Sequence, residues 1–157
     1  MKHLDVSIFS ATPHASMVKS LGLAGFGQDN WQAVSCNTNE ESMNIKALEE
    51  ALMKCSSNSK IVIASAGTVT GTDYDDLIAI SILCKKYNAW LHVDSAFGIF
   101  ERLTSGTEGK TKGIEYADSL TLDCHKWLNV PYDCGVFLTK YLSLLQASCE
   151  VTAPYLA

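Results

Sequence analysis

The chain has 157 residues, of which 47% are hydrophobic and 18% are charged, with 10 glycines and 3 prolines. A chain of this length and composition can bury a core as one compact domain, and disorder and collagen-like repeats are excluded. Twelve Lys and Arg against 17 Asp and Glu give a formal net charge of −5, which offers no overall attraction to nucleic acid or to an anionic membrane.

Short apolar, β-branched runs that end at turn residues indicate six β-strands. In chain order they cover residues 4–10, 31–36, 60–66, 89–94, 119–123 and 135–139. The first four of these strands alternate with helical patterns, and the last two follow without a clear helix between them.

Three helices are predicted between the first four strands. Pro13 near its start and Gly22 just past its end delimit a helix over residues 13–21. The segment 75–87 opens with two acids and closes with two lysines, the arrangement that the helix dipole favours. Between these two helices in the sequence lies the third, whose apolar face is formed by Ile45, Leu48, Leu52 and Cys55.

Alternating strands and helices predict an α/β fold, a mostly parallel sheet with helices on both faces. No repeat or composition break divides the chain, so residues 1–157 are predicted to form one domain. Ligands of such sheets bind beyond the carboxyl ends of the strands. Polar residues that follow four of these ends are therefore expected to meet in one crevice: His14, Thr68, Asp94, Asp123, His125 and Lys126.

Asp94 and Lys126 are the most informative of these residues. Period-two alternation puts Asp94 on the same strand face as His92 and Ala96, at the end of a largely buried strand. A carboxylate there requires a partner, which could be a salt bridge, a helix N-cap or a cationic ligand. Most lysines are solvated surface groups, but a lysine beside an aromatic residue and an acidic rim can supply an amine that attacks an aldehyde.

Four segments of the chain resemble a known family. HVDSAFG at 92–98, followed by ADSLTLDCHKWLNVPYDCG at 117–135, is similar to the paired signature of the pyridoxal-phosphate-dependent group II amino acid decarboxylases. TPHASMVKSLGLAG at 12–25 and IASAGTVTGTDYDDL at 63–77 match two further family blocks in the same order. The likeness extends over residues 4–140.

The resemblance implies that the cofactor is pyridoxal 5′-phosphate (PLP). Lys126 would form the internal aldimine with the cofactor aldehyde, and Asp94 would pair with the protonated pyridine nitrogen. At about 4 Å and an effective dielectric of about 20, a carboxylate stabilises the pyridinium by roughly 4 kcal/mol before desolvation. The protonated ring then acts as the electron sink for the carbanion that remains when carbon dioxide departs.

The resemblance also implies roles for four residues around the ring. His14 would stack on one ring face, and Ala96 would pack against the other, where a larger side chain could not fit. Thr68 would lie beside the cofactor, and His125 would help to hold its phosphate.

By the same likeness, the chain corresponds to the central part of the large domain of the fold-type I PLP-dependent transferases. The family's upstream phosphate-binding segment would precede Met1, and its mobile loop and C-terminal domain would follow Ala157, so both are expected to be absent from the chain. The implied reaction is decarboxylation of an L-amino acid by a homodimer. Trp127 and the YDC sequence at 132–134 resemble the aromatic-substrate branch of the family more than its glutamate branch, which implies an aromatic substrate.

Other hypotheses remain open. Without the missing segments, the chain could be catalytically silent and act as an interaction module through the edge strand 135–139 and the dimer surface. A different PLP-dependent lyase or transaminase would keep Lys126 and Asp94 but release another product. A weaker alternative is a metal site formed by His92, Asp94, Asp123 and His125. Because it leaves Lys126 and His14 unused, no metal is predicted.

The remaining features of the sequence concern location and partners. Six cysteines without a C-x-x-C pair favour reduced thiols over a disulfide framework. Asp5 interrupts the first apolar run, so no signal peptide is predicted, and the apolar runs at 61–66 and 77–83 are shorter than the roughly 20 residues of a membrane span. The chain is predicted to be cytoplasmic, with an amino acid substrate and with neither nucleic acid nor a membrane as a partner.

Overall fold

A six-stranded sheet with helices on both faces forms the framework of the protein. The computed structural model describes residues 5–151, so Leu4, the predicted start of the first strand, lies outside the described residues. The strands are β1 (Val6–Ser10), β2 (Gln32–Ala33), β3 (Ser59–Ser65), β4 (Trp90–Asp94), β5 (Ser119–Asp123) and β6 (Gly135–Thr139). The helices are α1 (Ala15–Leu23), α2 (Ile45–Lys54), α3 (Leu77–Lys86), α4 (Arg102–Ser105) and α5 (Leu142–Cys149).

The strands lie in the order β2-β1-β3-β4-β5-β6. The first five are parallel to their neighbours, and β6 runs antiparallel to β5 at the edge of the sheet. Register places Ser65 opposite Asp94 and Asp94 opposite Thr121, so these side chains point to one face of the sheet. The predicted mostly parallel α/β sheet is confirmed.

The two faces of the sheet bury separate apolar clusters. Helices α2 and α3 cover one face, where their leucines pack on Phe9, Val62 and Val93. Helix α1 covers the other face, where Leu21 packs on Ile8 and Ile63. The prediction of helices on both faces is therefore confirmed.

Buried and half-buried side chains alternate along strand β4, and this alternation decides which face Asp94 occupies. Leu91 and Val93 are fully buried on the α2 and α3 side, whereas His92 and Asp94 are only half-buried and point to the opposite face. Asp94 therefore lies on the α1 face, at the carboxyl end of the strand.

Several boundaries differ from the sequence prediction. Helix α1 begins at Ala15, because His14 has extended backbone angles and its side chain accepts the Ser16 N–H as the N-cap. Strand β2 ends at Ala33, and the chain then folds back so that Cys36 pairs with Met43 in an antiparallel bridge. Helices α4 and α5 and three short 3₁₀ turns were not predicted: Gly98–Glu101, Gly106–Glu108 and Ile114–Tyr116. No helix within residues 5–151 has the length and apolar character needed to span a bilayer.

Helix α3 begins at Leu77, two residues later than predicted, because Asp75 turns into the protein interior. The Asp75 side chain is 5% exposed, and its two oxygens accept the backbone N–H groups of Met43 and Ser65. Burial raises the pKa of this carboxyl, although both N–H donors act in the opposite direction. Asp75 thus ties the loop after β2 to the end of β3, beside the predicted crevice.

Replacing Asp75 with asparagine is expected to lower the free energy of unfolding by about 1–3 kcal/mol, because the new amide NH₂ group would face a buried N–H donor. Asp76→Asn is the matched control. Asp76 caps α3 by accepting the Ala79 N–H at 3.0 Å, and asparagine caps a helix about as well as aspartate. Urea unfolding of both variants measures the difference, and equal losses would contradict the role given to Asp75.

Candidate active site

The carboxyl ends of β1, β3, β4 and β5 open into one cleft with a volume of about 560 Å³. Parallel strands bring their following loops to the same edge of a sheet, so residues far apart in sequence become neighbours there. The six residues with predicted roles all line this cleft: His14, Thr68, Asp94, Ala96, His125 and Lys126.

Lys126 lies in the turn after β5, and an acid and an aromatic ring hold its amine. Its Nζ is 3.1 Å from Oδ2 of Asp123 and 5.7 Å from the centroid of the Phe97 ring. The Lys126 side chain is 29% exposed. The amine is therefore directed along the cleft wall by its neighbours instead of extending into solvent.

Asp94 is half-buried and carries its charge into the cleft with few partners. Its Oδ1 accepts the Ala96 N–H at 3.2 Å. Within residues 5–151 it forms no salt bridge and caps no helix, so two of the three partners considered from the sequence are not realised. Burial lowers the pKa of the neighbouring His92, whereas the charge of Asp94 acts in the opposite direction. The Asp94 carboxylate is available to a cationic ligand.

His14 stands at the entrance to α1 with its ring fixed by the helix cap. Its Nδ1 accepts the Ser16 N–H at 3.2 Å and lies 2.7 Å from Oγ of Ser16. An Nδ1 that accepts a hydrogen bond leaves the ring proton on Nε2. The ring is exposed in the cleft, and its stacking on a cofactor stays a prediction.

Thr68 and Ala96 form the smaller parts of the cleft wall. Thr68 is 6% exposed, and its Oγ1 accepts the Asp73 N–H at 3.0 Å, which closes the turn after β3. Ala96 follows β4 and donates its N–H to Asp94. Both line the cleft, while their contacts with a cofactor remain predictions.

His125 is held by its own turn. Its Nδ1 accepts the Cys134 N–H at 3.1 Å, and its Nε2 lies 3.8 Å from Oδ2 of Asp123. The ring also packs edge-on against Tyr132, with 4.6 Å between the centroids. These contacts orient the ring at the rim, and its predicted role in phosphate binding stays a prediction.

Among the other residues of the cleft wall are two aromatic residues and a glutamate for which the sequence predicts no contact with the cofactor. Phe97 directly follows Ala96 inside a matched block, so its position next to Lys126 could have been anticipated. Tyr132 also lay in a matched block and was used only as a hint about the substrate. Glu41, by contrast, comes from the loop after β2, and its Oε2 accepts the Gly71 N–H at 2.9 Å. No local pattern indicates that tertiary contact.

The back of the cleft depends on a close approach of two glycines. Gly67 has a φ of +88°, and a Cβ there would lie 3.1 Å from the Cα of Gly98. A Cβ on Gly98 would collide with the Ala66 carbonyl oxygen and would lie 2.7 Å from Cζ of Tyr74. Only a glycine at position 98 allows the loops after β3 and β4 to pack this closely.

Gly98→Ala is expected to reduce the free energy of unfolding by about 1–3 kcal/mol, because the backbone carbonyl of Ala66 cannot move aside cheaply. Gly135→Ala is a suitable control, since the nearest atom to its new Cβ, Oδ1 of Asp123, is at an ordinary 3.6 Å. Thermal unfolding of the two variants tests the prediction. A Gly98→Ala variant as stable as Gly135→Ala would show that the close packing is dispensable.

The metal alternative is not supported. Within the described part of the chain, no three His, Cys, Asp or Glu residues lie close enough together to hold an ion. His92, one of its four proposed ligands, instead places Nδ1 2.8 Å from Oγ of Ser119 and does not line the cleft.

A larger cavity, of about 740 Å³, lies at the opposite ends of the strands, beside the amino-terminal residues of β3 and β4. None of the six residues with predicted roles lines it. The chemistry predicted from the sequence is therefore confined to the cleft at the carboxyl ends of the strands.

Comparison with known sequences identifies relatives of this chain. The family model of the pyridoxal-dependent decarboxylase conserved domain matches residues 5–157. An L-2,4-diaminobutyrate decarboxylase of Rhizobium meliloti (strain 1021) is 36% identical over 141 residues, which cover 86% of this chain and 28% of the relative. An L-aspartate decarboxylase of Metarhizium robertsii is 34% identical over 146 residues, which cover 91% of this chain and 29% of the relative.

Solved structures share the fold. The crystal structure of mouse CSAD in apo form matches with a TM-score of 0.85 at 26% identity, over 96% of this chain and 32% of that chain. Oryza sativa TDC with PLP and tryptamine matches with a TM-score of 0.84 at 24% identity, over 98% of this chain and 32% of that chain. This chain thus spans less than a third of the length of these relatives. It belongs to the family of pyridoxal-dependent decarboxylases, whose cofactor is PLP.

Proposed function

We propose that this protein is a PLP-dependent carboxy-lyase that removes carbon dioxide from an L-amino acid. In this proposal Lys126 binds the cofactor covalently, and Asp94 pairs with its ring nitrogen. The observation that carries it is the meeting of the Lys126 amine and the Asp94 carboxylate, from two different strand ends, in one cleft.

The residues of the cleft fit the cofactor. Lys126 offers a primary amine to an aldehyde, and Asp94 offers a half-buried carboxylate that has no cationic partner within residues 5–151. A volume of about 560 Å³ is within the range of small-molecule sites. When bound, PLP supplies the electron sink that makes loss of carbon dioxide possible.

Asp123 is proposed to position the lysine. Its Oδ2 lies 3.1 Å from Nζ of Lys126 and forms an ion pair with it. The amine would have to leave this ion pair and give its proton to solvent before it could attack an aldehyde. Asp123 also holds the amine in the cleft before the cofactor arrives.

His14 and Ala96 are proposed to fix the plane of the cofactor ring. The His14 ring is already oriented by its hydrogen bond with the Ser16 N–H, and Ala96 is held by its own N–H bond with Asp94. A ring held flat between them keeps its nitrogen near Asp94. Orientation of this kind, rather than further chemistry, is what the protein supplies to a cofactor reaction.

The test is to incubate the purified protein with PLP, reduce it with borohydride, and map the modified peptide. The expected result is one adduct, on Lys126. Lys110 and Lys112, which lie in the loop after β4, serve as internal controls for unspecific labelling. Adducts spread evenly over these lysines, or absent from Lys126, would overturn the proposal.

For the substrate we propose an aromatic L-amino acid, on the support of the aromatic rings around Lys126. Phe97 and Tyr132 line the cleft, and Trp127 packs edge-on against Phe97, with 6.0 Å between the ring centroids. A second candidate is a diamino acid, because Glu41 brings a carboxylate into the same cleft and one relative is named for L-2,4-diaminobutyrate. Carbon dioxide release from tryptophan, 2,4-diaminobutyrate, aspartate and glutamate compares the two, and a product that retains its carboxyl group would indicate a transaminase or another lyase.

A homodimer is proposed for the intact protein, and the edge strand supports an interface at the edge of the sheet. Phe137 and Leu138 on β6 are 47% and 48% exposed. Size-exclusion chromatography combined with a carbon dioxide assay distinguishes the possibilities. A dimer with turnover agrees with the proposed enzyme, whereas a monomer without turnover would favour the interaction module.

A further inference from the structure

Two cysteines face each other at the base of the turn that carries Lys126. Strands β5 and β6 are antiparallel, and their last pair in register is Asp123 with Gly135. The next two residues beyond this pair are Cys124, which follows β5, and Cys134, which precedes β6. The Cys124 N–H donates to the Cys134 carbonyl oxygen at 2.9 Å, while the Cys134 N–H donates to Nδ1 of His125, so one backbone hydrogen bond joins the pair.

The positions suit a covalent link. Opposite residues joined by backbone hydrogen bonds in an antiparallel ladder have Cα atoms about 5.5 Å apart, which lies within the roughly 4.4–6.8 Å that disulfides span. Both cysteines are half-buried free thiols. Burial and the neighbouring Cys134 thiol raise the pKa of Cys124.

We propose that Cys124 and Cys134 are a site of reversible oxidation and form an intrachain disulfide in exchange with a low-molecular-weight disulfide. One thiolate attacks the small disulfide, giving a mixed disulfide and releasing one small thiol. The second cysteine thiolate then displaces the other small thiol and closes the protein disulfide. In total the protein loses two protons and two electrons, and the small disulfide gains them as two thiols.

The bond would close the turn between the two strands. That turn contains Lys126 and also His125, whose Nδ1 already accepts the Cys134 N–H at 3.1 Å. A disulfide would add a covalent closure at the point where this hydrogen bond now holds the turn. This inference concerns only the thiols and stands whether or not PLP binds at Lys126.

The test uses the purified protein without added PLP, treated with oxidised glutathione under native conditions and then alkylated to block the remaining thiols. Trypsin cleaves after Lys112, Lys126 and Lys140, so the two cysteines fall in separate peptides, 113–126 and 127–140. Mass spectrometry without reduction is expected to find these two peptides joined. The number of titratable thiols should fall from six to four, and dithiothreitol should restore it.

Two controls keep the result specific. A Cys149→Ser variant, which removes an exposed thiol on α5, should keep the cross-link, whereas Cys134→Ser should lose it. The same oxidation in denaturant should distribute cross-links over all six cysteines. Alkylated Cys124 and Cys134 in the native sample, or equal cross-link patterns with and without denaturant, would overturn the inference.

Discussion

Replacing Lys126 with alanine is expected to abolish the borohydride-reducible adduct and to lower the rate of carbon dioxide release by about two to four orders of magnitude. The variant loses the amine that is proposed to bind the cofactor covalently. The partner of that amine, Asp123, is left in the cleft as an uncompensated carboxylate. Absorbance of bound PLP and peptide mapping measure the loss of the adduct, and a carbon dioxide assay measures the loss of rate.

Lys126→Arg is the sharper form of this experiment. Arginine keeps a positive charge for Asp123, so the fold and the ion pair are expected to survive, but its guanidinium stays protonated and cannot attack an aldehyde. Lys140→Ala removes an exposed lysine outside the cleft and should behave like the wild type. A Lys126→Arg variant with full activity would exclude Lys126 as the cofactor-binding residue.

The sequence could predict most of the framework because its signals are local. Apolar runs and turn residues located all six strands, although β2 proved shorter. Residues at the helix ends located α1, an apolar face located α2, and terminal charges located α3. The short elements α4 and α5 and the 3₁₀ turns were not predicted, and neither were boundaries that side chains decide through contacts distant in sequence. Asp75 was predicted to begin α3, yet its carboxylate binds Met43 and Ser65 in the interior, and the helix begins two residues later.

The residues of the candidate site could also be predicted from local signals, but their contacts could not. The rule that strand ends converge, together with the matched blocks, selected six residues that all line one cleft. Neither the strand-end rule nor the matched blocks could predict which side chains contact these residues. The 3.1 Å contact between Asp123 and Lys126, the loop that brings in Glu41 and the backbone hydrogen bond between Cys124 and Cys134 depend on tertiary geometry, which composition and spacing do not encode.

Asp94→Asn is expected to leave the fold intact and to lower the rate of decarboxylation by up to about a thousandfold. Asparagine has the same shape and can still accept the Ala96 N–H, but it carries no charge. A carboxylate about 4 Å from a pyridinium stabilises it by roughly 4 kcal/mol at an effective dielectric of about 20. Without that stabilisation the ring nitrogen loses its proton near neutral pH, and the ring withdraws electrons less effectively.

The control for this prediction is Asp133→Asn, which removes an exposed carboxylate from the turn after Lys126. If net charge near the cleft were the cause, both variants would lose activity equally. If a specific pair with the ring nitrogen is the cause, only Asp94→Asn loses activity, while its PLP remains bound through Lys126 and its unfolding temperature stays close to that of the wild type. An Asp94→Asn variant that turns over at the wild-type rate would remove Asp94 from the proposed site. Because the borohydride adduct on Lys126 would persist in that case, the two halves of the proposed site can fail separately.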